Sequence, residues 1–432
     1  MESWSLAVVA VVALGYAGVS RRLERSIVSA AMVFVTAGLI AGPEALGFFD
    51  AEVGSEGVRV LAEATLTLVL FADASRIDIR TLRRELGLPA RLLGIGLPLT
   101  IAAGTFLAVA LFPQITWPEA LILAICLAPT DAALGQAVVT DRRLPSRVRQ
   151  GLNVESGLND GICVPLLFIA LAVAEADEGI LTTAGAEHFV SEAIGYGVLG
   201  GVVAGVLAAV LLRFAEPRGL VARDWVQIVP LAAAALSYGI AAPLGGSGFI
   251  AAFTGGLLFG VLTRRADVLA PGGHGNVTYL TEAAGLTLAG VTFVVFGAGA
   301  LGPALHMVDW RIVVYAVLSL TIARMVPVWL ALRGSGARQP TVAYVGWFGP
   351  RGLASIVFAV LVLEGSELEH IQVGIATITV TVALSVFAHG MTAVPLTNAY
   401  VRWFERRPRP PAMESLPAHE HPWRRPTGGR PA

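Results

Sequence analysis

Charged residues inside long apolar segments are the first chemically informative feature of this sequence. Asp131 and Asp160 lie in two successive apolar segments, and Arg324 and Arg351 lie in two later ones. A charge in the middle of a membrane-spanning helix costs at least about 2.5–3.5 kcal/mol, so its default interpretation is functional. These four residues are therefore the first candidates for a site.

The residues next to the two aspartates supply further oxygen atoms. They are Thr130 before Asp131, and Glu155, Ser156 and Asn159 before Asp160. Ser156, Asn159 and Asp160 share one helical stripe, because residues three and four apart lie on the same face. Oxygen-only ligands suit a hard cation and not copper or zinc. A carboxylate that holds either a proton or a cation would exchange the two by competition.

Prolines interrupt two of the charged segments near their centres. The sequences are Ala128-Pro129-Thr130-Asp131 and Gly349-Pro350-Arg351-Gly352. Proline removes a backbone donor and clashes with the preceding turn, which predicts a broken or unwound helix at both places. Interruptions at corresponding positions of two inverted halves indicate the central site of a transporter. Asp131 is expected to neutralise helix N-termini at the crossing, and Arg351 helix C-termini.

The composition indicates that these residues lie in membrane-spanning helices. Among the 432 residues, 55% are hydrophobic and 14% are charged, whereas an ordinary soluble domain has about 25% charged residues. The mean hydropathy is +0.72. A net charge of −1 argues against a nucleic-acid partner, and all 30 basic residues are arginines. The chain is therefore predicted to be a polytopic membrane protein.

A membrane-spanning helix needs about 20 mainly apolar residues. The segments that meet this requirement, here called spans one to thirteen, are 4–20, 27–43, 57–74, 89–112, 118–140, 150–174, 189–214, 226–243, 248–263, 279–301, 311–333, 342–363 and 372–402. Most arginines follow odd-numbered spans, which by the positive-inside rule predicts an outer N-terminus and a cytoplasmic C-terminus. The localisation that follows is the cytoplasmic membrane.

The predicted fold is an all-α membrane protein with about 13 transmembrane helices. Residues 1–403 form the transmembrane domain, which contains two inverted six-helix repeats, about 1–174 and 226–403. Their broken helices cross at the midplane of the membrane. Residues 404–432, rich in Pro, Arg and His, are predicted to be a disordered cytoplasmic tail.

The motifs resemble those of the NhaP-type and NHE-type sodium/proton antiporters, the electroneutral branch of the cation:proton antiporters. The resemblance covers about residues 1–403. It rests on the Thr-Asp pair at 130–131 and the Glu-Ser-Gly-Leu-Asn-Asp run at 155–160. Further matches are Gly38 to Pro43, Phe71 to Ala74, Ser247 to Phe253, Ile322 to Arg324 and Gly349 to Gly352.

The resemblance implies roles for the residues of the site. Asp160 corresponds to the carrier of the cation and the proton, with Thr130, Asp131 and Ser156 completing the coordination of Na⁺. Asn159, where electrogenic relatives have an aspartate, implies electroneutral exchange.

The resemblance also implies the surroundings of the site. Glu155 pairs with Arg324, and Asp73 on span three lines the approach to the site. A homodimer in membrane lipid is implied as well. No organic cofactor is expected.

The predicted function is secondary exchange of Na⁺, with Li⁺ or K⁺ as alternatives, for H⁺; the protein is not expected to be an enzyme. A K⁺/H⁺ antiporter of the same fold is the second hypothesis, and a passive cation channel is a third. A remote alternative is an intramembrane serine protease, with Ser247 in Gly245-Gly-Ser-Gly248 as nucleophile and His389 as base. That motif is short, and it leaves the central carboxylates unexplained.

Overall fold

The computed structural model is built from α-helices. It describes residues 3–23, 26–49, 54–77, 87–131, 134–135, 138, 141–264, 277–365, 368–406 and 412–415. Within those residues there is no β-strand. The prediction of an all-α protein is therefore confirmed.

Each predicted span coincides with helical structure. In chain order the helices are α1 Ser3–Leu23, α2 Ala30–Ala41, α3 Glu56–Arg76, α4 Gly87–Leu111, α5 Trp117–Cys126, α6 Ser146–Asp177, α7 Thr183–Ala215, α8 Arg223–Ala241, α9 Gly248–Arg264, α10 Tyr279–His306, α11 Trp310–Leu332, α12 Gln339–Trp347, α13 Leu353–Gly365 and α14 Ile371–Glu405. Eight helices in the described part of the chain are long and apolar enough to cross a membrane. The exact number of crossings stays a prediction.

Spans five and twelve are interrupted where the prolines predict it. Helix α5 ends at Cys126, and residues 127–131 have no regular helix. Span twelve consists of α12, which ends at Trp347, and α13, which begins at Leu353. In the second half of span five, residues 132–133, 136–137 and 139–140 lie outside the described part of the chain. The prediction of broken helices is confirmed.

The start of α5 is fixed by side-chain hydrogen bonds. The Thr116 hydroxyl accepts from the Glu119 backbone, and the Glu119 carboxylate accepts from the Thr116 N–H at 2.8 Å, which together form a capping box. The second Glu119 oxygen accepts the His370 N–H at 2.9 Å. One buried carboxylate therefore joins the start of α5 to the start of α14.

The helices pack as two groups. Helices α2, α3 and α7–α10 contact one another, and α4–α6 contact α11–α14 in a second group. In the first group, a Cβ on Gly256 or Gly260 of α9 would overlap the carbonyl oxygens of Phe71 and Ser75 in α3. Glycines at these positions let the two backbones approach closely, as small residues do in membrane helices. Both interrupted spans belong to the second group.

Part of the segment 404–432 is described. Helix α14 continues to Glu405, and Met413–Ser415 form a short 3-10 helix. Met413 and Glu414 are buried, and Arg338 Nη1 lies 3.5 Å from Glu414 Oε1. Residues 407–411 and 416–432 lie outside the described part, so a disordered tail stays a prediction for them.

Candidate ion site at the crossing of the broken helices

The two interrupted segments meet through their backbones. The Asp131 N–H donates to the Pro350 carbonyl at 2.7 Å. Arg351 Nη1 donates to the carbonyls of Ala128 at 2.5 Å and Pro129 at 3.0 Å. These carbonyls follow the end of α5, where the negative pole of the helix dipole lies. The buried Arg351 guanidinium therefore offsets the C-terminal end of α5.

Asp131 makes the complementary contact, with the N-terminal end of α13. Its Oδ2 accepts the Leu353 N–H at 2.9 Å, at the first residue of α13. Its Oδ1 lies 3.4 Å from the Leu134 nitrogen, which donates to it. A Cβ on Gly352 would overlap Asp131 Oδ2, so glycine leaves the space that this carboxylate occupies. Asp131 caps the positive N-terminal end of α13.

Three polar residues of spans five and six join beside the crossing. The Ser156 hydroxyl donates to the Thr130 carbonyl at 2.5 Å. The Asn159 amide nitrogen donates to the Thr130 hydroxyl at 2.7 Å. All three are buried. Because Ser156 acts as a donor and Thr130 accepts only one hydrogen bond at its hydroxyl, both hydroxyl oxygens keep lone pairs for a cation.

Asp160 is a buried carboxylate on α6, about one helical turn after Ser156. It is 9% exposed, and its Oδ1 has no hydrogen-bond partner among the described residues. Asp131 and Asp73 are the acidic groups that interact with it electrostatically. Burying an unpaired carboxylate is costly unless a proton or a cation neutralises it. The arrangement favours binding of either one.

Glu155 and Arg324 form an ion pair behind the site. Glu155 Oε1 lies 2.6 Å from Arg324 Nη2, and the side chains are 3% and 2% exposed. A Cβ on Gly349 would come within 2.5 Å of Arg324 Nε. The group has a net charge of −1 when its three carboxylates are ionised. The carboxylates are Asp131, Glu155 and Asp160, and the two positive charges are those of Arg324 and Arg351. One monovalent cation or one proton would make this group neutral.

Asp73 lies on α3, in the other group of helices. Its carboxylate is 3.7 Å from Arg76 Nη1, and Arg76 also contacts the Glu282 carboxylate of α10. The Thr278 hydroxyl donates to Glu282 at 2.5 Å. The predicted span 57–74 leaves Arg76 in the loop that follows it, whereas Arg76 ends α3 and is buried. In the sequence, the pairing of Arg76 with Glu282 is indicated only by two opposite charges near the ends of predicted spans.

Sequence reasoning also misses Ser385. The hydroxyl of this α14 residue accepts the Arg351 N–H at 2.7 Å, in the break of span twelve. A buried serine in an apolar helix carries no signal for this contact. The partner becomes visible only when α14 is packed against the break.

The ligands available here are mixed oxygen atoms. Among the described residues, no three His, Cys, Asp or Glu side chains come together as a metal-binding group. The oxygens at the crossing come instead from carboxylates, hydroxyls and the Thr130 carbonyl. Such ligands suit a hard cation. Because hydroxyls are uncharged, the site has less negative charge than one built from carboxylates alone.

The residues of the protease hypothesis do not meet in the described contacts. Ser247 Oγ accepts the Ile250 N–H at 3.3 Å, near the start of α9. The ring nitrogens of His389 contact Ser385 and the Trp347 carbonyl. Ser247 serves as a helix cap, and nothing in this geometry activates it as a nucleophile.

Comparison with protein families gives a match over nearly the whole chain. The family model described as "Sodium/hydrogen exchanger, transmembrane" matches residues 8–399.

Two curated relatives illustrate the range of similar proteins. The Na(+)/H(+) antiporter of Saccharomyces cerevisiae is 25% identical over 356 residues, which are 75% of this chain and 34% of that protein. The K(+)/H(+) antiporter NhaP2 of Shewanella oneidensis is 26% identical over 393 residues, 88% of this chain and 63% of that protein. The chain spans between one third and two thirds of the length of these two relatives.

A solved structure has the same fold. The sodium proton antiporter MjNhaP1 from Methanocaldococcus jannaschii superposes with a TM-score of 0.72 at 20% identity. The match covers 92% of this chain and 99% of that chain. At this identity the likeness shows the fold alone.

Proposed function

Because this chain belongs to the transmembrane sodium/hydrogen exchanger family, we propose that it is a secondary antiporter that exchanges Na⁺ for H⁺. The family consists of transporters and not of enzymes. The chain is a multi-pass membrane protein, and its activity follows from the site at the helix crossing.

One observation carries the proposal. Asp160 is a buried carboxylate whose Oδ1 has no hydrogen-bond partner in the described part of the chain. Ser156 precedes Asp160 by about one turn of α6, and the Ser156 and Thr130 hydroxyls keep lone pairs. Asp160, Asp131, Thr130 and Ser156 would bind Na⁺, and Asn159 would orient the Thr130 hydroxyl. Protonation of Asp160 would release the cation.

The surrounding charges support an electroneutral cycle. Glu155 forms an ion pair with Arg324, and Asp131 accepts a hydrogen bond at the N-terminus of α13, so both carboxylates already have partners within the protein. Asp160 then carries the one exchangeable negative charge. Loaded with one Na⁺ or with one H⁺, the site has the same total charge, and a complete cycle moves no net charge across the membrane.

The other charged residues support the site without carrying the ion. Arg351 holds the end of α5 in the crossing. Asp73, 18% exposed, lies where it can attract cations toward Asp160. Both roles are proposed from electrostatics, because a negative group in an aqueous approach raises the local concentration of cations.

The arrangement in the membrane completes the proposal. The N-terminus lies outside and the C-terminus in the cytoplasm, with residues 1–403 as the transmembrane domain in the cytoplasmic membrane. The repeats are about 1–174 and 226–403. Helix α7 exposes an apolar face that includes Leu199, Leu207 and Phe214, which suits lipid or the second copy of a homodimer.

Proton-coupled flux in proteoliposomes tests the function. Purified protein is reconstituted with an internal pH indicator, and Na⁺, K⁺ and Li⁺ are added in turn at several pH values. The proposal predicts cation-driven proton efflux by the wild type and none by Asp160→Asn, which replaces a carboxylate by an amide of equal size. Exchange at the wild-type rate by a folded Asp160→Asn protein would remove Asp160 from the mechanism.

A K⁺/H⁺ antiporter is the second candidate. It is favoured by the K(+)/H(+) antiporter NhaP2 relatives, whose similarity covers 88% or more of this chain. The same proteoliposomes separate the candidates, since K⁺ would then drive proton efflux at lower concentrations than Na⁺. Downhill cation flux without proton coupling would instead indicate a channel.

A further inference from the structure

One face of α14 lies against the break in span twelve. Ser385 and His389 are one helical turn apart on this face, and they are 0% and 1% exposed. Their side chains bind backbone groups of residues 347–351, the segment that joins α12 to α13. Ser385 and His389 are called the α14 brace below.

The brace holds both ends of the interrupted segment. Ser385 Oγ accepts the Arg351 N–H at 2.7 Å. His389 Nε2 lies 3.0 Å from the carbonyl oxygen of Trp347, the last residue of α12. His389 Nδ1 lies 3.1 Å from Ser385 Oγ, which joins the two contacts. The segment is therefore bound before and after the Gly349-Pro350 pair.

The contacts of the two imidazole nitrogens show how His389 joins α14 to the end of α12. A carbonyl oxygen only accepts hydrogen bonds, so Nε2 must donate to Trp347. Nδ1 lies 3.1 Å from the Ser385 hydroxyl, whose oxygen accepts from Arg351, and 3.0 Å from the Ser385 backbone carbonyl. Both imidazole nitrogens therefore have hydrogen-bond partners, one within α14 and one at the end of α12.

We infer that Ser385 and His389 are positioning residues of the ion site. They fix the segment Trp347–Arg351, whose Pro350 carbonyl accepts the Asp131 N–H and whose Arg351 guanidinium holds the end of α5. Neither residue of the brace touches the ion. The inference rests on the proposed exchange function, because it assigns to the brace the geometry of the oxygens that bind the cation.

The kinetics of His389 variants separate this role from a merely structural one. His389→Ala removes the hydrogen bond to Trp347, and we expect the apparent KM for Na⁺ to rise about tenfold per folded molecule, equivalent to ~1.4 kcal/mol. His389→Gln can donate from its amide to the same carbonyl, and it should restore most of the affinity. An unchanged KM in folded His389→Ala protein would overturn the inference.

A matched control lies on the same helix. The Thr392 hydroxyl of α14 accepts the indole N–H of Trp347 at 3.0 Å, so it contacts the side chain and not the broken backbone. Thr392→Val should leave the KM unchanged. The pH profile of His389→Gln adds a second criterion: it should match the wild type, whereas a shifted or flattened profile would make His389 a proton relay and would also overturn the inference.

Thermal unfolding separates failure of the inference from failure of the proposed function. Wild-type protein that exchanges neither Na⁺ nor K⁺ for H⁺ would contradict the proposed function, and the brace could still be assessed. Ser385→Ala and His389→Ala should then destabilise the protein by less together than the sum of their separate effects, because they break one shared network. Additive effects would mean that the two residues do not act as a unit.

Discussion

The Glu155 carboxylate of α6 and the Arg324 guanidinium of α11 lie 2.6 Å apart, both almost completely buried. They are 169 residues apart in the sequence, and the pair joins α6 to α11. Removing one partner of a buried pair leaves an uncompensated charge, which typically costs about 3–5 kcal/mol.

Single and double substitutions of this pair test its structural role. Arg324→Met should lower the free energy of unfolding by about 3–5 kcal/mol. The double variant Glu155→Leu with Arg324→Met should recover much of that loss, because it leaves no unpaired charge. Thermal unfolding in detergent measures both, with Glu63→Gln as a control. Glu63 pairs with Arg59, which is 46% exposed, so its loss should cost under about 1 kcal/mol. Additive effects at Glu155 and Arg324 would contradict the prediction.

Competition at Asp160 predicts a pH-dependent affinity. If one carboxylate holds either ion, the apparent KM for Na⁺ should rise about tenfold for each unit by which the pH falls below the pKa of that carboxylate, each decade being ~1.4 kcal/mol. Initial rates in proteoliposomes between about pH 5 and about pH 8 measure this slope. A KM that stays constant over the range would indicate separate sites for proton and cation.

Electroneutral exchange predicts that membrane potential has no effect on the equilibrium. A valinomycin-clamped potential of either sign should leave the final Na⁺ gradient unchanged at a fixed pH difference. Moving one net charge through 100 mV would be worth ~2.3 kcal/mol, which is easily detected. A gradient that shifts with voltage would require more than one proton per cation and would implicate Asp131 or Glu155 as a second carrier.

We predict that acid removes a stabilising contribution of Asp141, which lies outside the predicted spans in the connection between α5 and α6. Burial raises the pKa of this carboxyl, but hydrogen bonds and charge from Arg143 lower it by more, so the net pKa is below the usual 3.8. Because the pKa is lower in the folded state, the ionised carboxylate stabilises the protein when the pH is above the ordinary pKa. This stabilisation is lost as the pH falls through the folded-state pKa.

The variant Asp141→Asn should therefore be less stable than the wild type at neutral pH. The expected difference is under about 1 kcal/mol, because the Arg143 side chain is 58% exposed. Thermal unfolding over a pH series should show the difference shrinking as the pH falls below about 4. A difference that grows in acid would contradict the assignment.

The sequence predicts the elements of this fold better than their contacts. Apolar length locates the helices, and Pro129 and Pro350 locate the two breaks, because these signals are local. The position of Asp131 at the start of α13 also follows from the breaks, since the helix dipoles there need an anion. The partner of Arg76 does not follow, because Glu282 comes from a helix more than 200 residues away.

The α14 brace shows the same limit within the site. Ser385 and His389 lie on one helical face, but nothing in the sequence indicates that this face meets the broken backbone of span twelve. Sequence analysis names His389 only as the base of the protease hypothesis, and neither its burial nor its hydrogen bond to Trp347 has a local sequence signal. Contacts of side chains with distant backbone depend on packing, which a single sequence does not contain.

Proton release on cation binding tests the central claim most directly. Purified protein in weakly buffered detergent solution is mixed with Na⁺ in the presence of a pH indicator, and Asp160→Asn serves as the control. The account predicts that the wild type releases one proton for each Na⁺ bound and that Asp160→Asn releases none. Na⁺ binding without proton release, or equal release by both proteins, would contradict a shared site at Asp160.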